Sequence, residues 1–414
     1  MPNHGEVPRV TNIFRARPVK TRIGHRATMS EIFFDLVFIF ALTRVIAVMG
    51  SPPAAVSMVR GLVLLLLLWM SWTLYVWLSN RARADVGLVR AGVLLAMLAI
   101  FVIALVIPGS WHTHRGAASA AVVLALAYIA LQFLHLALFF YASAGSRQSR
   151  RTLGIFEIAV VVSWVPLILG AMLGGVAQTV LWAAVFAIEY GGGHLASKLS
   201  GWQLRSPAHF SERHGLVVMI ALGESLVAAG AHAAPAIVRW PELLAAVLGF
   251  VATVCLWWLY FDDTAVAAAK ALEKLAGQTR NQAASSAYSL AHFPMIAGVI
   301  YFALGSQQVL IRVDRQPMPG LLSASLDWGS AVALYGGVAL FLGGRAVFLA
   351  LTVRSVPRAE VVAACAAPVL LPAGRFLPAL VALGLLTALL VGQIFWERFR
   401  RGEAAVDVAE VTSV

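Results

Sequence analysis

Three ionisable residues interrupt a stretch that is otherwise almost pure hydrocarbon. The segment "SEIFFDLVFIFALTRVIAVMG", Ser30 to Gly50, contains Glu31, Asp35 and Arg44. Charged side chains in such a setting bind ions, relay protons or neutralise one another. Glu31 and Asp35 are four residues apart and share one helix face. Arg44 follows Asp35 by nine residues, which at about 100° per residue turns it to the opposite face, so within an unbroken helix it cannot neutralise Asp35. Glu189, His214, Glu224, Asp262 and Asp263 stand in or beside similarly apolar runs further along. With Glu31, Asp35 and Arg44 they are the candidate residues for binding a substrate or ion.

The elements that position them belong to a membrane protein. Hydrophobic residues make up 60% of the 414 and charged residues 12%, against about 45–50% and about 25% in soluble domains. Apolar runs of spanning length, about 17 to 25 residues, lie near 32–50, 56–79, 87–107, 117–142, 153–172, 176–190, 213–232, 242–262, 286–310, 328–352, 359–372 and 376–396. The sixth and eleventh are short, and the sixth has room to continue through the glycines at 191–193. The expectation is an all-α integral membrane protein of about twelve transmembrane helices.

Loop charge sets the orientation, because cytoplasmic loops collect Lys and Arg. With the N-terminus inside, twenty-three Lys and Arg fall on the inner side, from the basic tail at 1–29 to Arg398, Arg400 and Arg401. Only Arg115, Arg239, Arg312, Arg315 and Arg375 fall outside. The split predicts a multi-pass plasma-membrane protein with both termini, 1–29 and 398–414, in the cytoplasm. It also accounts for the net charge of +12 without nucleic acid as a partner. The tail has no apolar core or cleavage site of a secretory signal. The aromatic runs "WMSWTLYVW" and "LWWLYF" are expected either as interfacial belts or as packing.

The two halves resemble each other. Shifted by 180 positions, "DLVFIFALTR" (Asp35 to Arg44) falls on "GLVVMIALGE" (Gly215 to Glu224), and "WTLY" (Trp72 to Tyr75) matches "WWLY" (Trp257 to Tyr260) at a shift of 185. This predicts two pseudo-repeated six-helix halves, 30–200 and 201–397, related by an axis along the membrane normal, an arrangement that places transporter sites near the midplane. Arg44 and Glu224 become equivalent positions, each about 20 Å into its helix at 1.5 Å per residue. A charge at that depth normally pairs, so the two are expected to meet, with Ala221, Ser225 and Ala228 allowing close helix approach. Glu31, Asp35, Glu189, His194, Glu212, His214, Asp262 and Asp263 are expected near the cytoplasmic surface, as a cation or proton site or as a solvated rim.

The motifs "SEIFFDLVFIFALTRV" and "SERHGLVVMIALGESLVAAG" (Ser211 to Gly230), followed by "LWWLYFDD" and "YSLAHFPMIAGVI", resemble the bacterial low temperature requirement A protein family over roughly residues 28–400. The resemblance implies a polytopic membrane protein linked to growth in the cold and brings no catalytic residues with it.

Other constellations are weaker. "WHTH" (His112, His114) supplies two ligands where structural zinc takes four; His194, His209, Glu212 and His214 form a somewhat better set. "FDDTA" has the aspartate pair of a magnesium–diphosphate site but lacks a second aspartate-rich box. Arg345, at the inner end of its helix like His135, is expected to snorkel. His292 and Pro294 suggest a kink. No GxxxxGK[ST] loop is present to bind ATP phosphates. No metal or cofactor is assigned; membrane lipids and an unidentified small molecule or ion are the expected partners. The leading reading is a secondary transporter or permease. The alternative is an integral-membrane enzyme acting on a lipid or isoprenoid, using Asp35, Glu189, Glu224, Asp262 and Asp263. A cold sensor or structural component is a third possibility.

Overall fold

The computed structural model describes residues 18–22, 24–50, 52–112, 119–199, 201–230, 240–314 and 325–412. The tail residues Arg9, Arg15 and Arg17 and the loop residues His114, Arg115, Arg239 and Arg315 lie outside the described residues. The described chain is helical, with no strand beyond the isolated bridges Lys20 to Ala82 and Ser325 to Pro378. The helices are α1 Met29–Met49, α2 Ala55–Arg81, α3 Gly87–Val106, α4 Ala120–Ala142, α5 Arg147–Leu173, α6 Gly175–Leu199, α7 Pro207–Gly230, α8 Trp240–Trp258, α9 Ala265–Lys274, α10 Gly277–Ala283, α11 His292–Asp314, α12 Trp328–Ala331, α13 Gly337–Thr352, α14 Arg358–Phe376 and α15 Ala379–Thr412.

Ten helical rods among the described residues are long and apolar enough to cross a bilayer. Helices α6 and α7, of 25 and 24 residues, are not among them. Glu189 and Gly191 to Gly193 dilute the apolar run of α6, and His209, Glu212, Arg213, His214 and Glu224 that of α7. Helix α6 does continue through the glycines, to Leu199.

Contacts divide the chain into two compact units. The first takes the residues up to Ala41 and Leu67–Arg213; the second takes Leu42–Leu66 and everything from His214. Helices α1, α2 and α7 therefore contribute one segment to each.

In the first unit, α1 starts where Thr28 and Glu31 form a capping interaction. The Glu31 Oε2 atom accepts the Thr28 backbone N–H at 2.7 Å and its hydroxyl at 2.8 Å, so the acid at the third helical position supplies an acceptor at the helix entrance. Helices α5 and α6 form a hairpin through Gly174 and Gly175, whose φ values of 69° and 57° are left-handed conformations that glycine adopts without steric penalty. Trp69, Trp72, Tyr75 and Trp77 of the "WMSWTLYVW" run are buried, so in this unit those aromatics are core.

In the second unit, π-helical turns interrupt the rods at Leu259–Thr264, Ala284–Leu290 and Val332–Gly336. The second of these turns precedes His292 and Pro294, the place where a break was expected. The core is α11, which meets the Val332–Gly336 turn and α13 backbone to backbone. A methyl group added at Gly298 would lie 2.6 Å from the Gly337 carbonyl oxygen, one at Gly337 2.5 Å from the Phe302 nitrogen, and one at Gly305 2.5 Å from the Leu334 Cα. Small residues let membrane helices approach this closely. Because main chain cannot swing aside as a side chain can, G337A is expected to cost about 1–3 kcal/mol, the usual range for overpacking. Denaturation of purified protein in detergent measures the loss, and an unchanged midpoint would contradict the seam.

Candidate functional site

The first unit buries a charged cluster around α1 and the start of α7. Glu31 and Asp35 do share a face, and both are held by Arg213. Its Nη1 lies 3.1 Å from Glu31 Oε1 and its Nη2 2.6 Å from Asp35 Oδ1. The Trp72 indole N–H also donates to Asp35 Oδ1, at 2.8 Å. His209 Nε2 lies 2.8 Å from Glu31 Oε1. All five side chains are buried. Glu31 with His209 and Asp35 with Arg213 advance together along the two helices, so α1 and α7 run parallel here.

Hydrogen bonding fixes the histidine's proton. Asn80 Oδ1 accepts the backbone N–H of Arg205 at 2.8 Å and of Ser206 at 3.3 Å, so the Asn80 amide nitrogen is the atom facing His209 Nδ1, at 3.4 Å. With an amide donor at Nδ1, the Nε2 proton is directed at Glu31 Oε1. With both carboxylates ionised, Glu31 and Asp35 carry two negative charges against the one positive charge of Arg213. Asp35 Oδ2 is buried and has no hydrogen-bond partner. A proton on that oxygen, or a cation beside it, removes the surplus.

Glu189 lies in a different cage of the same unit. Its Oε1 accepts from Gln132 Nε2 at 2.6 Å and Ser163 Oγ at 2.9 Å, and its Oε2 from the Tyr128 hydroxyl at 3.2 Å. It is fully buried and bonded to neutral groups only. The expected gathering of acids and imidazoles is thus not formed as one cluster: within the first unit Glu31 and Asp35 come together while Glu189 has its own partners. Glu212 accepts the Ala27 N–H, and His194 stacks on Tyr190.

The remaining candidates belong to the second unit. The expected ion pair between Arg44 and Glu224 is absent. The Glu224 carboxylate instead accepts the hydroxyl of Thr43, at 2.9 Å, and Arg44 is half-buried with no ion pair among the described residues. The reason is angular. His209, Arg213 and Glu224 lie within about 60° on α7, and the face of α1 that bears Asp35 brings up Thr43 and turns Arg44 roughly 180° from Asp35. Ala221, Ser225 and Ala228 are buried, with Ser225 against Thr253 of α8.

His214 packs into an aromatic group with Tyr288 and His292, at centroid distances of 5.3 Å and 5.0 Å. Asp262 lies 3.6 Å from Arg398 and lines a small recess with Asp263, Arg345 and Glu397. Arg345 does not snorkel. It is 1% exposed and is bound by Glu360, by Glu397 and by the Thr264 hydroxyl. Among the described residues, no three His, Cys, Asp or Glu side chains converge as metal ligands. An apolar groove of about 780 Å³ opens among Met58, Val59, Tyr301, Trp328 and Leu340; Asp327 is its one carboxylate and is already bound to Ser330 and Arg312.

Sequence reasoning missed Arg213, counting it among the loop charges, and weighed His209 only as a member of a metal-binding set. Their signal was present: a basic pair at spacing four, His209 and Arg213, matches the acidic pair Glu31 and Asp35 at a constant offset of 178. Removing one partner of a buried ion pair costs about 3–5 kcal/mol. Arg213→Met is expected to lose that much stability, and adding Asp35→Asn is expected to restore part of it. Denaturation of the double-mutant set measures the coupling; strictly additive losses would contradict the cluster.

No solved structure matches the chain. Over 345 residues it is 26% identical to an uncharacterized protein of Rhizobium meliloti (strain 1021), a match that covers 81% of this chain and 80% of that protein. The family description "Bacterial low temperature requirement A protein (LtrA)" matches residues 26–395, from the entrance of α1 almost to the end of the last spanning segment, and the chain belongs to that family.

Proposed function

We propose that this protein is a secondary transporter or permease of the plasma membrane. In this reading it has twelve spans in two pseudo-repeated halves, 30–200 and 201–397, with both termini in the cytoplasm. Glu31, Asp35 and Arg213 form its ion- or substrate-binding centre.

One observation carries the reading: a fully buried Asp35 with one unpartnered oxygen, in a cluster whose carboxylates outnumber its guanidinium. Intramembrane ionisable residues mark ion and proton pathways. A purely structural pair would be expected to balance its charge and satisfy its oxygens. The parallel run of α1 and α7, the leading helices of the two halves, fits halves related by an axis along the membrane normal. The positions Arg44, Glu189, His214, Glu224, Asp262 and Asp263 remain candidates for a pathway rather than for the centre itself. The lipid-enzyme alternative has less support, since the apolar groove has one carboxylate and that one is engaged by Ser330 and Arg312.

Reconstitution tests the proposal. In liposomes, wild-type protein is expected to move a solute from a broad panel in response to a proton or cation gradient. Asp35→Asn, which keeps an acceptor for Trp72 but removes the charge, is expected to lose the gradient-dependent part of that flux while remaining folded. Absence of any gradient-dependent flux in wild type would overturn the reading.

A further inference from the structure

We infer that Glu189 is a proton-binding site, a carboxyl group that gains and loses a proton while its hydrogen bonds rearrange to satisfy either state. Its place on a proton pathway for transport rests on the function proposed above; the proton exchange itself does not.

Two hydroxyl groups beside Glu189 each have one proton and two acceptors. Ser163 Oγ lies 2.7 Å from the Val160 carbonyl oxygen and 2.9 Å from Glu189 Oε1. The Tyr128 hydroxyl lies 3.3 Å from the Leu67 carbonyl oxygen and 3.2 Å from Glu189 Oε2. When Glu189 is ionised, both hydroxyl protons turn to it and Gln132 supplies a third donor. When Glu189 takes a proton from water, an O–H bond forms at Oε2 and donates to the Tyr128 oxygen. The Tyr128 proton then turns to Leu67 and the Ser163 proton to Val160, while Gln132 still donates to Oε1. Neither state strands a donor, and no bond other than O–H is made or broken.

Gln132 is held in the orientation this needs, because Trp164 Nε1 donates to its Oε1 at 2.7 Å and leaves Nε2 for Glu189. Glu189 is thus faced by Tyr128 and Gln132 from α4 and by Ser163 from α5, and α2 offers the Leu67 carbonyl to Tyr128. Tyr128 is the only titratable group among these, and among the described residues no cation pairs with Glu189. Glu31, Asp35 and Glu360, in contrast, each meet a guanidinium. An ionised carboxylate away from water and without a countercharge is costly, and here protonation removes the charge without losing a hydrogen bond.

Infrared difference spectra of the purified protein across a pH titration test this. A carboxylic-acid carbonyl band that bleaches as pH rises, is missing in Glu189→Gln and is displaced in Tyr128→Phe is the expected result. If Glu189→Gln does not fold, the displacement in Tyr128→Phe decides alone. A titrating band unchanged by both substitutions, or no such band, would overturn the proton site even if transport were found. A band that behaves as expected in a protein showing no gradient-dependent flux in liposomes would support the site and count against the transport reading.

Discussion

Two carboxylates on one turn of α1 share a single guanidinium on α7, and much of the first unit is arranged to make that tolerable. Arg213 reaches Glu31 with one nitrogen and Asp35 with the other, Trp72 donates from α2, and His209 is turned by Asn80 so that its proton points at Glu31. Asn80 in turn is oriented by the backbone at Arg205 and Ser206, just before α7 begins. The chain of constraint thus runs from a helix entrance to an imidazole tautomer to a carboxylate. Buried polar networks are stable only when nearly every member is satisfied, which singles out the two atoms left over, Asp35 Oδ2 and Arg213 Nε.

Much of this was legible in the sequence. Apolar run lengths predict the helices, because a bilayer imposes about 20 residues on any rod that crosses it. Helical spacing puts Glu31 and Asp35 on one face and Arg44 on the other, as found. The error about Arg44 came from treating sequence equivalence as spatial contact. The repeat aligns Arg44 with Glu224, yet once Asp35 faces α7, the same 100° per residue that separates Asp35 from Arg44 turns Arg44 away and presents Thr43. Arg345 was misread for a different reason: Glu360 and Glu397, which bury it, lie on separate later helices, and one-dimensional spacing has no signal for that convergence. The cage around Glu189 was equally hidden, since Tyr128, Gln132 and Ser163 are unremarkable residues until α4, α5 and α6 bring them together.

The two acidic sites of the first unit solve the problem of a buried carboxylate differently. Around Asp35 the solution is countercharge, with a positive group so close that any arriving cation competes with it. Around Glu189 it is a set of rotatable hydroxyls with no fixed charge. The first arrangement leaves one oxygen, Asp35 Oδ2, for an arriving proton or cation, and the second takes a proton by turning its hydroxyls, because a hydroxyl proton reorients without moving a heavy atom.

The glycine seam between α11 and α13 has a consequence for temperature. Its contacts are main chain against main chain, so its strength is dispersion between atoms that had no side-chain rotamers to lose. Inside a bilayer the helices meet from lipid rather than from water, so packing and not the hydrophobic effect holds them together. The core of the second unit is thus joined along this line by packing that does not draw on the hydrophobic effect and its loss on cooling.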